Sequence, residues 1–185
     1  LAGGTSVLIE GDLSNDFKAP IEKLKAAITP KTKLIFIANP NNPTGTLINK
    51  DALKAFIHAA PSHVLILLDE AYDEYLSAEK KSEAIDCLKE FPNVIISRTF
   101  SKAYGLAGLR VGFGLMHADV ADMLNRVRQP FNVNSIAQAG ALAALADAEH
   151  IEKTRSVNRA GMAFYEAALA ERGLEYVPSF ANFLL

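Results

Sequence analysis

The chain has 185 residues, half of them hydrophobic, so it is long enough to bury a core and unlike a disordered protein in composition. Its 19 basic and 21 acidic residues leave a net charge of −2, which provides no chain-wide positive field for nucleic acid or an anionic membrane. Cys87 is the only cysteine, which excludes an internal disulfide framework and a cysteine-rich metal site. We therefore expect a cytoplasmic protein with a small-molecule partner.

Short runs of Val, Ile and Leu alternate with amphipathic segments, which is typical of a mainly parallel sheet covered by helices. The apolar runs also favour burial of the strands on both faces. The predicted strands are residues 6–10, 33–38, 63–68, 93–97 and 111–116. The predicted helices are residues 20–28, 50–60, 118–128, 135–146 and 148–172, the last ending at Gly173. The fold class is therefore α/β.

Residues 1–148 are predicted to form one large domain. Residues 149–185 are predicted to form a connecting helix and the first strand, "ANFLL", of a smaller second domain. The length of the predicted helix favours a connector between domains. Because the chain opens in a Gly-containing loop and stops inside a strand-like run, we expect it to be a fragment of a longer protein.

Three of the predicted strands are followed by unusual polar segments. "NPNNPTGT" follows residues 33–38, "DEAYDEY" follows residues 63–68, and "RTFSK" follows residues 93–97. In an open α/β sheet, ligands bind at the carboxyl ends of the strands. We therefore expect these three segments to meet and to form the functional site.

Asn42 and Asp69 are the first candidates in this site. Asn42 precedes Pro43 and is biased to an extended conformation that orients its amide, although the same residues could form a tight turn without a ligand. Asp69 ends an apolar strand, where a carboxylate is costly unless a cation or several donors meet it. An internal salt bridge or a helix N-cap is the alternative to a ligand. Tyr72 can present a phenol to the same region.

Thr99, Ser101 and Arg110 offer two hydroxyls and a planar guanidinium, a combination that can hold a phosphate. Gly105 and Gly108 let the backbone approach such a ligand closely. Lys102 lies among these residues, and its amine is a candidate nucleophile or Schiff-base former. A lysine beside a serine is more often a solvated surface residue, so this interpretation depends on the other two segments.

Taken together, the three segments match the functional groups of one ligand, pyridoxal phosphate. The carboxylate suits its ring nitrogen, the amide and the phenol its phenolate oxygen, and the amine its aldehyde carbon. The hydroxyls and the guanidinium suit its phosphate. The residues predicted to bind it are Asn42, Asp69, Tyr72, Thr99, Ser101, Lys102 and Arg110.

These motifs resemble those of the fold-type I, pyridoxal-phosphate-dependent aminotransferases of class I and II. The Asn-Pro-Thr-Gly motif of that family stands at residues 42–45 and its Asp-x-x-Tyr motif at residues 69–72. Its Ser-x-Ser-Lys motif stands at residues 99–102, with Thr99 in place of the first serine, and Arg110 follows eight residues later. Within the family, "RQPFNVNSIAQAGALAAL" and "PSFANFLL" are most similar to histidinol-phosphate aminotransferases.

The resemblance implies a three-layer α/β/α large domain, a homodimer, and a place in histidine biosynthesis. The implied reaction converts L-histidinol phosphate and 2-oxoglutarate to imidazole acetol phosphate and L-glutamate. In the implied catalytic set, Lys102 holds the cofactor and moves the substrate proton, Asp69 keeps the ring nitrogen protonated, and Tyr72 assists. The family's chains are longer at both ends, so further substrate-binding residues are expected outside these 185.

Other functions share the same residues and stay open. An aromatic or broad-specificity aminotransferase and a phosphate-substrate decarboxylase use this scaffold, and a cofactor-binding or structural fragment without turnover is the non-enzyme alternative. The motifs GxSxG, GxGxxG and HExxH and the P-loop are absent, and the four histidines lie on separate segments without metal-ligand spacing. Glu70, Asp73 and Glu74 are interpreted as solvated side chains rather than a metal site or a glycosidase pair.

Overall fold

The sheet positions the three polar segments. The computed structural model describes residues 3–12, 14 and 16–185. Within these residues the chain forms a four-stranded sheet in the order β1-β2-β3-β4, with the first three strands parallel and β4 antiparallel to β3. The strands are β1 (Leu34–Ala38), β2 (Leu65–Asp69), β3 (Val94–Thr99) and β4 (Gly112–Met116). The predicted α/β class with a mainly parallel sheet is confirmed.

The register of the sheet aligns the ends of its first three strands. Ala38 of β1 pairs with Asp69 of β2, and Asp69 pairs with Ser97 of β3. Because these strands are parallel and adjacent, their carboxyl ends share one edge of the sheet. The three polar segments therefore leave the sheet at the same edge.

Six α-helices are formed by the described residues, and all of them except α3 were predicted from the sequence. Side chains cap the longer ones: Asn49 accepts backbone N–H groups at the start of α2, Asn134 at the start of α5 and Asp147 at the start of α6. Gly173 follows α6 with a φ of 62°, as expected for a C-terminal cap. The helices are α1 (Ile21–Ala26), α2 (Lys50–Ala59), α3 (Ala84–Cys87), α4 (Ala118–Val127), α5 (Ser135–Ala146) and α6 (Ala148–Glu171).

The main core lies between one face of the sheet and helices α1 to α3. Helix α2 contributes Leu53, Phe56 and Ile57, whose spacing puts them on one side of the helix. Full burial of such side chains stabilises the fold by about 1.5–3 kcal/mol each. The sheet residues in this core are Ile35, Ile37, Ile66, Leu68, Val94 and Ile96.

Three expectations about strands are wrong. Residues 6–10 form no strand, and Val7 and Leu8 are 72% and 82% exposed, because this run does not pair with the four-stranded sheet. Residues 181–185 form bends and irregular backbone instead of a strand. Burial on both faces fails for β1, where Phe36 is 59% exposed, because side chains alternate along a strand and the core helices cover the other face.

The division of the chain at residue 148 stays a prediction. Helix α6 begins at Ala148, and its Arg155 donates a hydrogen bond of 2.6 Å from Nε to the backbone oxygen of Glu74. This bond connects α6 to the segment that follows β2. None of the helices in the described residues is both long and apolar enough to cross a membrane.

Candidate active site

Asn42 and Tyr72 connect the first two polar segments. The Nδ2 atom of Asn42 donates a hydrogen bond of 3.0 Å to Tyr72 Oη. Tyr72 is only 5% exposed, whereas Asn42 lies at the surface, so this hydrogen bond joins a buried side chain to a surface one. The segments that follow β1 and β2 therefore meet, as the sequence predicts.

The turn that carries Asn42 is supported by residues from the far end of the chain. Gly45 has a φ of 70°, and a Cβ atom added there would overlap the Ser179 side chain. The backbone N–H of Phe180 donates a hydrogen bond of 2.7 Å to Gly45 O. Glycine is thus required at this position for both its left-handed backbone and the close approach of Ser179.

Asp69 is a half-buried carboxylate that meets no opposite charge among the described residues. Its Oδ1 atom accepts hydrogen bonds from Ala71 N at 3.2 Å and from Ser97 Oγ at 3.3 Å. No described lysine, arginine or histidine forms a salt bridge with it. Two neutral donors compensate such a carboxylate only in part, and a cationic ligand atom would complete it.

Lys102 lies over the face of Tyr72. Its Nζ atom is 5.5 Å from the centroid of the Tyr72 ring, and the Phe183 ring makes a T-shaped contact with Tyr72 at a centroid distance of 5.2 Å. Lys102 is exposed, which is also what an ordinary solvated surface lysine would show. The structure nonetheless brings the amine into the same place as the Asn42–Tyr72 pair.

The predicted phosphate residues form one group. Ser101 N donates a hydrogen bond of 3.1 Å to Thr99 Oγ1, and Arg110 Nη1 lies 3.4 Å from Ser101 Oγ and 2.7 Å from the carbonyl oxygen of Ala107. Arg110 has a left-handed backbone with a φ of 53°, which is uncommon for a residue other than glycine and is concentrated at functional sites. The loop conformation thus directs the guanidinium back toward Ser101.

Two residues of the site were missed by the sequence reasoning. Ser97 ends β3 next to Asp69 and donates to its carboxylate, a contact that the predicted adjacency of the two strands could have revealed. Phe183 packs against Tyr72 from a distant part of the chain. No local sequence signal leads to that contact, because it depends on the path of the chain after α6.

The interpretation of Glu70, Asp73 and Glu74 as solvated side chains is wrong. The side chains of Glu70 and Asp73 are each 2% exposed and that of Glu74 is 16% exposed. Arg98 of β3 contacts all three carboxylates, which supplies the charge that burial requires. The ion-pair cluster, as we call it, consists of Glu70, Asp73, Glu74, Lys81, Arg98 and Arg155.

Burial and pairing compete within the ion-pair cluster. Burial raises the pKa of Glu70, a hydrogen bond from the Ser82 hydroxyl and the charge of Arg98 counteract this, and the charge of Asp73 adds to it. Burial alone would lower the pKa of Arg98, but the nearby carboxylates outweigh it and raise that pKa above its ordinary value. Arg98 therefore stays a cation.

Comparisons with known proteins place the chain among aminotransferases. The family model described as "Aminotransferase class I and II" matches residues 1–185. Histidinol-phosphate aminotransferase from Methylobacillus flagellatus is 60% identical over 92% of this chain and 46% of its own length, and histidinol-phosphate aminotransferase 2 from Ralstonia nicotianae is 51% identical over 93% and 46%. The chain thus spans about half the length of the curated relatives it matches.

Solved structures of aminotransferases have a similar fold. Histidinol-phosphate aminotransferase from Sinorhizobium meliloti, in complex with pyridoxal-5'-phosphate, superposes with a TM-score of 0.83 at 36% identity, covering 89% of this chain and 45% of that one. A double mutant of Thermus thermophilus aspartate aminotransferase superposes with a TM-score of 0.84 at 28% identity, covering 96% and 48%. The fold is therefore common to relatives whose names give different substrates.

Proposed function

The chain belongs to the class I and II aminotransferases, and from this membership we propose that the protein is a pyridoxal-phosphate-dependent aminotransferase acting on L-histidinol phosphate and 2-oxoglutarate. The observation that carries the proposal is the convergence of three strand ends on one place. There Asp69 has no basic partner among the described residues, and the amine of Lys102 lies over the ring of Tyr72.

The residues at this edge of the sheet fit the proposed cofactor. A half-buried carboxylate with only neutral donors around it suits a positively charged ring nitrogen. The Asn42 amide and the Tyr72 hydroxyl, already joined by a hydrogen bond, suit a phenolate oxygen. The group of Thr99, Ser101 and Arg110 suits a phosphate.

The proposed catalytic work divides among three side chains. When bound, the cofactor supplies an electron sink for the charge that develops at the substrate carbon. Lys102 would hold the cofactor through its Nζ atom, and the same atom, when free, would move the substrate α-proton, first as base and then as acid. The charge of Asp69 holds the proton on the ring nitrogen, and Tyr72 with Asn42 fixes the ring's orientation.

The choice of substrate is supported by the relatives. Two histidinol-phosphate aminotransferases are 60% and 51% identical to the chain, whereas the Thermus thermophilus aspartate aminotransferase double mutant is 28% identical. Greater identity over the same region favours the same amino donor. An aromatic or aspartate-type specificity is the second candidate, because the fold is shared with a relative whose name gives a different amino donor.

A homodimer is the proposed assembly. Ile136 and Leu142 of α5 are 73% and 70% exposed, and Phe131, just before that helix, is 96% exposed. A concentration of large exposed apolar side chains marks a contact surface, and a second copy of the chain would bury it. Sedimentation of the intact protein is expected to give two subunits, and a monomer at micromolar concentration would argue against this assembly.

The amino donor can be identified from the visible absorbance of the cofactor. Addition of L-histidinol phosphate to the cofactor-loaded intact protein is expected to change this absorbance faster than L-aspartate or L-phenylalanine at equal concentration. A faster response to L-aspartate would overturn the proposed donor while leaving the aminotransferase proposal in place. Failure of the folded protein to take up pyridoxal phosphate would overturn the proposed function as a whole.

A further inference from the structure

The ion-pair cluster is not used by the proposed mechanism, yet its members alternate with residues of the candidate site. Glu70 directly follows Asp69, and Asp73 directly follows Tyr72. The cluster therefore lies immediately behind the two site residues of the segment after β2. Two of its six charged side chains, those of Glu70 and Asp73, are only 2% exposed, so the cluster is part of the packed structure next to the site.

Arg98 is the member that connects two strands. Its Nε and Nη2 atoms lie 3.1 and 2.7 Å from the same oxygen of Glu70, and Nη2 also lies 3.1 Å from Asp73 Oδ2. Its Nη1 atom lies 3.4 Å from Glu74 Oε1. A single planar guanidinium from β3 thus binds three carboxylates of the segment after β2. A lysine ammonium cannot reproduce this geometry.

The position of Arg98 in the chain makes this grip relevant to the site. Arg98 stands between Ser97, which donates to Asp69, and Thr99, the first predicted phosphate residue. The backbone hydrogen bond from Glu70 N to Ser97 O, 2.9 Å long, joins the segment after β2 to β3. Beyond this bond, the side chain of Arg98 continues the connection between β3 and the segment after β2.

Glu70 depends on Arg98 more than the other carboxylates do. Among the described residues, Arg98 is the only cation in a salt bridge with Glu70, whose second oxygen accepts from the Ser82 hydroxyl. Asp73 also pairs with Lys81 at 2.8 Å, so its charge remains compensated without Arg98. Loss of Arg98 would leave Glu70 buried and uncompensated, and the segment that carries Asp69 would have to move.

We infer that Arg98 is a positioning residue that fixes the ring-binding groups of β2 relative to the phosphate-binding groups of β3. The inference rests on the proposed function, because it concerns how a cofactor spanning both strand ends is held. Asp69 and Tyr72 lie on one side of the Arg98 contact, and Thr99 and Lys102 lie on the other. A small shift between the two sides would impair binding, since sites of this kind require placement to a fraction of an ångström.

The test separates positioning from simple charge compensation. In the variant Arg98→Lys the charge remains and the planar fork is lost. In the double variant Arg98→Met/Glu70→Leu, the buried cation and its partner are removed together, which spares the fold the cost of an unpaired charge. Lys81→Met is the matched control, because Lys81 belongs to the same cluster but contacts neither Glu70 nor β3.

Three properties of the intact protein are measured: the dissociation constant for pyridoxal phosphate, the circular dichroism of the bound cofactor, and the thermal unfolding of the cofactor-free protein. Arg98→Lys and the double variant are expected to bind pyridoxal phosphate about tenfold more weakly or worse, by analogy with outer-shell residues of metal sites. At saturation their cofactor signal is expected to differ from that of the wild type, which reports a changed orientation. Lys81→Met is expected to bind within about twofold of the wild type.

Wild-type affinity and an unchanged cofactor signal in the folded double variant would overturn the inference, because Arg98 would then only neutralise Glu70. Equal weakening in Lys81→Met would also overturn it, since the effect would belong to the cluster as a whole. A wild-type protein that folds but does not bind pyridoxal phosphate would overturn the proposed function first, and the inference with it. The wild-type titration therefore distinguishes the two failures.

Discussion

Asp69 and Glu70 are consecutive carboxylates with opposite surroundings. Glu70 is almost fully buried and bound by Arg98 and the Ser82 hydroxyl, whereas Asp69 is half-buried and, within the described part of the chain, accepts hydrogen bonds from the Ala71 N–H and the Ser97 hydroxyl alone. The first belongs to the ion-pair cluster and the second to the edge where the strands end. Groups that the protein compensates itself hold the fold, and groups that it leaves without a counter-charge are available to a ligand.

The two cationic side chains of the third segment, Arg98 and Lys102, also differ in their surroundings. Arg98 is 16% exposed and bound to three carboxylates, whereas Lys102 is exposed and has the ring of Tyr72 as its neighbour. Although they are only four residues apart, Arg98 is expected to stabilise the fold and Lys102 to act in catalysis. Variants of one residue from each region therefore test whether stability and activity are divided in this way.

Lys102→Ala is expected to have the largest effect, and on activity alone. Loss of the proton carrier costs about a hundred- to ten-thousandfold in rate for general acid–base catalysis, and loss of the anchor adds to this. The check is turnover together with covalent retention of the cofactor after borohydride reduction. A reduced adduct that persists in the variant would show that another residue is the anchor.

Asp69→Ala is expected to lose more turnover than Tyr72→Phe. Removal of the carboxylate changes the charge state of the ring nitrogen, and we expect the turnover rate to fall on the order of a hundredfold or more. The phenol only orients a ring oxygen, so its loss is expected to lower the rate about tenfold. Rate constants under saturating cofactor measure the difference. Comparable losses of turnover in the two variants would indicate that Asp69 has a structural role, as Glu70 does, and does not set the charge of the ring nitrogen.

Arg98→Met is expected to lower the free energy of unfolding by about 3–5 kcal/mol, because it leaves the buried Glu70 carboxylate unpaired. Lys102→Met, the matched change in the exposed cation, is expected to change the same quantity by less than about 0.5 kcal/mol. Denaturant unfolding of the cofactor-free protein measures both. If the two variants were equally stable, the ion-pair cluster would not hold the fold.

Gly45→Ala tests a part of the site that is stabilised by packing and not by charge. The new methyl group would overlap Ser179, at about 1–3 kcal/mol, and the residue would keep a left-handed backbone, at about 1–2 kcal/mol, which together cost about 2–5 kcal/mol. Gly173→Ala is the control, because that glycine also has a positive φ but meets no atom within 4 Å. Its expected cost is that of the left-handed backbone alone, about 1–2 kcal/mol. Unfolding curves with equal shifts would show that the contact with Ser179 contributes nothing.

The smallest effect is expected at an exposed ion pair. A hydrogen bond from Lys54 to Glu83, with the charges of Lys54 and Lys50, lowers the pKa of Glu83. Since the folded value lies below the unfolded one, the stabilisation is present above the ordinary glutamate pKa and is lost as the pH falls through the lowered value. Glu83→Gln is expected to flatten the acid side of a plot of Tm against pH slightly. An unchanged slope would mean that this pair contributes nothing.

The elements that the sequence predicts well are those with strong local patterns. Four apolar runs become the four strands, and helices such as α2 follow the spacing of Leu53, Phe56 and Ile57. The run at residues 6–10 has the same composition but does not join the sheet. Local composition reports the tendency to form a strand, whereas membership of a sheet depends on a neighbour that the run itself does not specify.

The candidate site shows the same limit. Asn42, Tyr72 and Lys102 could be placed together because they follow parallel strands, and the structure does bring them together. The burial of Glu70 could not be foreseen from the segment alone, because its counter-charge comes from Arg98 on another strand. Acidic residues in a row are equally consistent with solvent and with a buried pair until the partner strand is known.

The support of the Gly45 turn has a consequence for biosynthesis of the protein. Strands β1 to β3 and the Asn42–Tyr72 contact are complete early in the chain, but Ser179 and Phe180 reach the turn only after helix α6. Synthesis runs from the N-terminus to the C-terminus, so residues 34–99 leave the ribosome before residues 179 and 180. Since a domain folds as a unit, we expect the turn at Gly45 to reach its final conformation only once Ser179 and Phe180 have been synthesised.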